Sequence, residues 1–238
     1  MGLLSTIELP VPLTVVTETR PAAVLWDMDG TLVDTEPYWM ASETELVTSF
    51  GGSWTMEDAV QLVGQGLWHS ARILQSHGVD LSEDEIIDRL TTRVIDRTAT
   101  EIPWRPGSRE LLRELHELGV PNALVTMSVR RMAEAITDNI GFDPFVTLIT
   151  GDEVTHSKPH PEPYHLGARA LGVDPALCVA IEDSAPGVAS AVAAGAVVIA
   201  VPMHVALLEH DDYTIWEDGA AGRNAEDLFS VFRERRSI

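Results

Sequence analysis

The sequence predicts an α/β fold, a doubly wound parallel sheet with a helical segment inserted near its start. Short apolar runs alternate with amphipathic stretches from Asn122 to Val201, which is the rhythm of strand, crossover helix, strand. The runs at Ala22 to Trp26 and at Cys178 to Ile181 both end in acidic residues, as buried strands do when polar chemistry sits at their C-terminal ends. Between residues 36 and 103 the rhythm fails, and helical patterns follow one another with no convincing strand.

Taken in order, residues 1–20 carry Pro and Thr without helical periodicity and read as an N-terminal extension. The core is expected over 21–35 and 104–238, with strands at Ala22–Trp26, Asn122–Val125, Phe145–Ile149, Cys178–Ile181 and Val197–Val201. Crossover helices are expected at Gly107–Leu118, Val129–Ile140, Pro161–Leu171 and Ala185–Ala194. The inserted segment, 36–103, holds helical patterns at Met40–Ser49, Leu67–Ser76 and Ser82–Thr98. Because it follows the first strand directly, it should lie over the sheet's C-terminal edge, where open α/β sheets bind ligands. The tail from His204 onward shows no pattern that assigns an element.

The 238 residues suffice for a full core, and 45% apolar with 22% charged residues is ordinary for a globular enzyme. The formal charge of -21 repels a phosphate backbone, and no Lys/Arg run of useful length offsets it, so nucleic acid is not an expected partner. A small phosphate ester is still compatible, since a divalent cation and a few fixed donors reverse the field locally. Oligomeric state is left at monomer or homodimer. No stretch is apolar enough for a bilayer, the start lacks the basic region of a signal peptide, and Cys178 has no partner for a disulfide. A cytoplasmic protein without membrane contact is therefore expected. Lys158 is the only lysine, the other fifteen basic residues being arginines. GC-rich coding explains the bias, and the same bias singles out a lysine retained at one position.

Asp27-Met28-Asp29-Gly30 puts two carboxylates two residues apart at a strand end, where that spacing shares one side. Gly30 allows a sharp turn and close backbone approach. Glu182-Asp183-Ser184 ends a second strand. If both strands belong to one parallel sheet, Asp27, Asp29, Glu182 and Asp183 meet at one edge. Each close like-charge pair there costs about 4 kcal/mol at an effective dielectric near 20, so the cluster calls for a cation or for protonation. All-oxygen ligands favour Mg²⁺ over zinc. Thr126 ends a third strand just before Ser128 and a helix start, a place for a helix cap or for a bound phosphate. Lys158 lies in the rigid loop His156-Ser157-Lys158-Pro159-His160-Pro161.

These four segments, in this order, resemble the four motifs of the haloacid dehalogenase superfamily, and the likeness spans Val24 to Val201. The resemblance implies a Rossmann-like core with an all-helical cap, and a Mg²⁺-dependent phosphatase acting on a small phosphate ester. It implies that Asp27 is the nucleophile that becomes an aspartyl-phosphate, and that Asp29 is the acid/base whose main-chain carbonyl joins the metal shell. Thr126, Ser128 and Lys158 would bind the phosphoryl oxygens. Asp183 would ligate Mg²⁺ together with Asp27, with Glu182 acting directly or through a metal-bound water. A mobile loop, Gly64 to His69, then makes Trp68 and His69 candidate substrate contacts, though aromatics packed between cap helices fit the pattern as well. Arg130 could pair with a distal anion or merely open a helix.

Within this superfamily the presence of Asp29 argues against dehalogenases, and the absence of a cap lysine argues against phosphonatases. The stretch Asp34 to Trp39 resembles sugar-phosphate and polyol-phosphate phosphatases. The closest rival is a β-phosphoglucomutase-like isomerase, whose cap hinge carries a histidine where this sequence has Trp39. From the sequence, Trp39 is expected to offer no comparable donor or acceptor to the acid/base. A phosphate-binding protein without catalysis is the alternative from another class.

Overall fold

The computed structural model describes residues 19–236. The first eighteen residues of the expected N-terminal extension lie outside the described residues. Among the described residues six strands form one all-parallel sheet: β1 (Ala23–Trp26), β2 (Asn122–Val125), β3 (Phe145–Ile149), β4 (Cys178–Glu182), β5 (Val197–Ala200) and β6 (Tyr213–Ile215), in the order β3-β2-β1-β4-β5-β6. The chain moves outward one way from β1 through β2 to β3, then returns to β4 and moves outward the other way. The switch therefore falls between β1 and β4, where this architecture opens a crevice at the strand ends.

Alternation along the strands divides the core into two layers. Val24 and Trp26 of β1 join Val179, Ile181, Leu112 and Phe232 on one face, while Ala23 and Leu25 join Ala180, Tyr164, Ala168 and Val188 on the other. Helices α5 (Ser108–Glu117), α6 (Arg130–Thr137) and α9 (Ala225–Arg236) supply the first layer, and α7 (Glu162–Ala170) and α8 (Ala185–Ala193) supply the second. Trp26 brings an indole N–H into the core, and Asn122 satisfies it at 2.9 Å.

Four helices separate β1 from α5: α1 (Glu36–Ser49), α2 (Met56–Val60), α3 (Leu67–Ser76) and α4 (Glu83–Thr98). Ser82 caps α4 and Thr55 caps α2, each through a reciprocal box with the residue three positions on, Glu85 and Asp58. This helical layer rests on the core. Arg131 of α6 donates to the Asp88 carboxylate at 2.9 Å and to Thr92 at 2.9 Å, both on α4. Gly64 lies against Ser184, so closely that a Cβ there would come within 2.8 Å of the serine Cβ.

The tail departs from expectation. Instead of an unassigned segment it forms β6 and α9. Asn224 accepts from the backbone N–H groups of Glu226 and Asp227, and Asp227 returns a bond to Asn224 N–H. Ala225, Leu228, Phe229 and Phe232 fall on the buried side. The spacing of those four is a legible helical pattern. The three residues of β6 and the five of α2 are too few for any periodicity to show.

Candidate active site

The loop after β1 is built to hold two carboxylates at the switch point. Asp27 N–H donates to Ile181 O at 3.0 Å, which continues the β1–β4 ladder up to the acids. Gly30 then turns the chain with φ +85, and a Cβ there would lie 2.0 Å from Asp183 Oδ2. Only glycine meets both demands. The buried Arg105 guanidinium donates to the carbonyls of Gly30 and Val201, and Ser108 donates to Thr31 O, so the turn is anchored from below.

Lys158 enters this acidic pocket from the loop before α7. That loop is pinned by Glu162, which accepts from the backbone N–H groups of Thr155 and His156, and by Ser190, which donates to His160 O. Its side chain is 4% exposed, and the ammonium donates to Asp27 Oδ1 at 2.7 Å, Glu182 Oε1 at 2.5 Å and Val125 O at 2.9 Å. Tyr164 donates to the same Glu182 oxygen at 2.6 Å. All three ammonium donors are thus used on acceptors, which is the condition for burying a charge. Burial pulls the lysine pKa down, but the carboxylates of Asp27 and Glu182 outweigh it and the net shift is upward. For Asp27 burial is the larger influence, and against the pull of Lys158 it pushes the carboxyl up to about 7. Asp183 is likewise raised well above the carboxylate range, by burial and then by Asp27 and Glu182.

Asp29 faces a different set of partners. Thr35 donates to Oδ1, Ser128 donates to Oδ2 at 2.7 Å, and Thr126 approaches Oδ2 at 3.4 Å while its hydroxyl also accepts Ser128 N–H. Trp39 Nε1 reaches Oδ1 at 3.4 Å. The expectation that Trp39 has nothing to offer the acid/base is thereby corrected: the helix turn after Thr35 aims the indole N–H at Asp29.

The residues present suit a hard divalent cation. Asp27, Glu182 and Asp183 each place a carboxylate oxygen within 4.8 Å of the others, and Asp27 Oδ2 is buried with no hydrogen-bond partner among the described residues. An all-oxygen donor set with an orphaned carboxylate atom fits Mg²⁺ chemistry. The Asp29 carboxylate stands outside that triad, on the hydroxyl side.

Asp27, Asp29, Thr126, Ser128, Lys158 and Asp183 line one cavity, roofed by residues of the helical insertion. Trp68, His69 and Arg130 do not line it. Trp68 donates to Asp84 at 3.0 Å and packs between α3 and α4, and His69 is solvent-exposed. Arg130 is held bidentately by Glu153, at 2.6 and 2.5 Å, and its backbone N–H goes to Asp152. In this structure Trp68 is thus placed as an aromatic packed between cap helices and Arg130 as a helix-opening residue, while His69 lies at the surface. Sequence reasoning missed Glu36, Glu43 and Ser70, which do line the cavity, and Tyr164, which braces Glu182. Glu36 lies before the helix expected at Met40–Ser49, and only the earlier start of α1, at Glu36, puts it on one face with Glu43. No sequence signal marks Tyr164.

Compared with known proteins, residues 21–195 match a family model described as haloacid dehalogenase-like hydrolase. The chain belongs to the haloacid dehalogenase-like hydrolase family. It is 32% identical over 188 residues to hexitol phosphatase B of Escherichia coli strain K12, covering 76% of this chain and 83% of that protein. The crystal structure of CbbY from Rhodobacter sphaeroides in complex with phosphate superposes with a TM-score of 0.77 at 28% identity, over 84% of this chain and 95% of the other. β-Phosphoglucomutase from Clostridium difficile shares the fold, with a TM-score of 0.80 at 18% identity over 92% of this chain and all of the other. Among the described residues no helix is long and apolar enough to cross a membrane.

Proposed function

We propose that this hydrolase is a Mg²⁺-dependent phosphatase of small sugar or polyol monophosphates that works through an aspartyl-phosphate on Asp27. That the chain is a phosphoric monoester hydrolase follows from its family and its named phosphatase relatives. The observation that carries the finer reading is the division of labour between two neighbouring aspartates. Asp27 is fixed by Lys158 through one oxygen and has the other free, while Asp29 is fixed by hydroxyls on the opposite side.

In this reading Asp27 attacks phosphorus as the bond to the leaving oxygen breaks, and Asp29 gives that oxygen its proton. Asp29, now ionised, takes a proton from the water that attacks the acyl-phosphate, releasing phosphate and restoring the Asp27 carboxylate. Lys158, with the hydroxyls of Thr126 and Ser128, binds the phosphoryl oxygens and neutralises charge that grows in the transition state. Asp27, Asp183, Glu182 and the Asp29 main-chain carbonyl would hold Mg²⁺, which favours the ionised, nucleophilic form of Asp27 and screens the phosphoryl charge. The helical insertion acts as a cap, excluding bulk water while Arg131 ties it to the core.

A mutase is the second reading, favoured by the Trp39 contact with Asp29, which gives the hinge a means of sensing the acid/base. Incubation with β-glucose 1-phosphate, Mg²⁺ and a trace of bisphosphate separates the two. Free phosphate should appear faster than glucose 6-phosphate, and the reverse order contradicts the phosphatase reading.

A further inference from the structure

The cavity has two chemically opposed ends. At the core end stand Lys158 and the hydroxyls of Thr126 and Ser128, suited to an anion. At the other, α1 presents Glu36, Trp39 and Glu43, spaced by three and four residues and so on one face of the helix. Glu43 is 5% exposed, and its Oε2 is buried without a partner among the described residues. The arginines of the helix packed against α1 do not pair with it. Arg97 and Arg93 of α4 reach Glu45 instead, at 2.7 and 3.8 Å on the outer side, and Arg93 also donates to Ser42 O. Burial is accordingly the one influence that displaces the Glu43 carboxyl, up to about 7. Around Glu43 the wall is apolar, with Leu62, Ile87 and Leu90. A buried carboxylate in such a wall is costly unless donors are brought to it.

We propose that Glu36 and Glu43 form the leaving-group subsite, which takes phosphate esters whose far end offers hydroxyl or ammonium donors and rejects those that carry a second anion there. The proposal rests on the phosphatase reading above and adds the charge of the group that enters beneath α1. Hydroxyls or an ammonium at that end satisfy the unpartnered carboxyl oxygen, whereas a carboxylate or second phosphate meets two acids and no cation. The leucine and isoleucine side chains suit the C–H faces of a short carbon chain.

The test compares kcat/KM of the Mg²⁺-loaded enzyme at pH 9, above the values of about 8 and about 7 to which burial lifts the Glu36 and Glu43 carboxyls, for sorbitol 6-phosphate, 1-amino-1-deoxysorbitol 6-phosphate and 6-phosphogluconate. This six-carbon series differs only at the carbon farthest from phosphate. The wild type should disfavour the carboxylate-ended ester by roughly a hundredfold against sorbitol 6-phosphate, the scale of like-charge juxtaposition in a closed site. In Glu43→Gln and Glu36→Gln that ratio should narrow by about tenfold. A faster amino ester assigns the subsite to ammonium and an equal one to hydroxyls, and both support it. A wild-type ratio near one, or a ratio unchanged in both variants, overturns the subsite while phosphate release leaves the phosphatase reading standing. No phosphate from any of the three, nor from acetyl phosphate, overturns both.

Discussion

Lys158 shows how one residue can decide a site that the overall charge opposes. Its ammonium is buried against Asp27 and Glu182 with every donor used, and its loop is pinned on both sides. A guanidinium is planar and wider, and cannot place one compact charge between two carboxylates and a main-chain carbonyl. Lys158→Arg should therefore lower kcat roughly 10²-fold although the charge is kept, as removal of an oxyanion-type donor does. Kinetics close to wild type would show the lysine to be incidental. Its rarity made it legible, as the acid pairs at strand ends made Asp27, Asp29, Glu182 and Asp183 legible. Trp39 was misread for a physical reason: residue type says that an indole is apolar, and only the turn after Thr35 shows where its single N–H points. For Trp68 the sequence left two readings open, since a tryptophan beside glycines looks available, and only the fold shows that Asp84 on the next helix accepts its N–H.

At the scale of elements, β1 to β5 and the helices that join them follow from apolar runs and amphipathic periods, because those patterns are the cause of the burial they predict. The elements that escaped have other causes. β6 is a three-residue edge strand held by pairing to β5, and α2 is a single capped turn. α9 is the exception, since its cap at Asn224 and its buried spacing were present in a tail read as holding no pattern. The most informative element is α1, whose inner face carries an acid at a cost. Burial lifts Glu43 from 4.5 to about 7. In that window the folded protein keeps a proton that the unfolded chain has lost, so stability falls as pH rises toward 7 and stays reduced above it. Glu43→Gln should then be more stable than wild type by on the order of 3 kcal/mol at pH 8, with the gain fading to nothing below pH of about 4.5. Urea unfolding of the metal-free protein across that range checks it. A variant equally or less stable at pH 8 would mean that Glu43 has a compensating partner. Such a cost persists in a fold when the group is kept for binding.

For the whole molecule, a net charge of -21 is compatible with the proposed phosphate site because one lysine, two hydroxyls and a triad fit for a cation set the field locally. The sheet delivers these groups from β1, β2, β4 and the loop before α7 to one edge, and the helical insertion covers them. The architecture alone does not separate phosphate release from phosphate transfer within the molecule, since the shared fold extends to a phosphoglucomutase. What the account requires is hydrolysis through Asp27, and one measurement addresses it most directly. Inorganic phosphate is followed from sorbitol 6-phosphate and Mg²⁺ with the wild type and with Asp27→Asn, which is nearly isosteric and cannot act as the nucleophile. The account predicts repeated turnover by the wild type and none above background by a variant that unfolds as a folded protein does. Sustained Mg²⁺-dependent phosphate release by Asp27→Asn would contradict it.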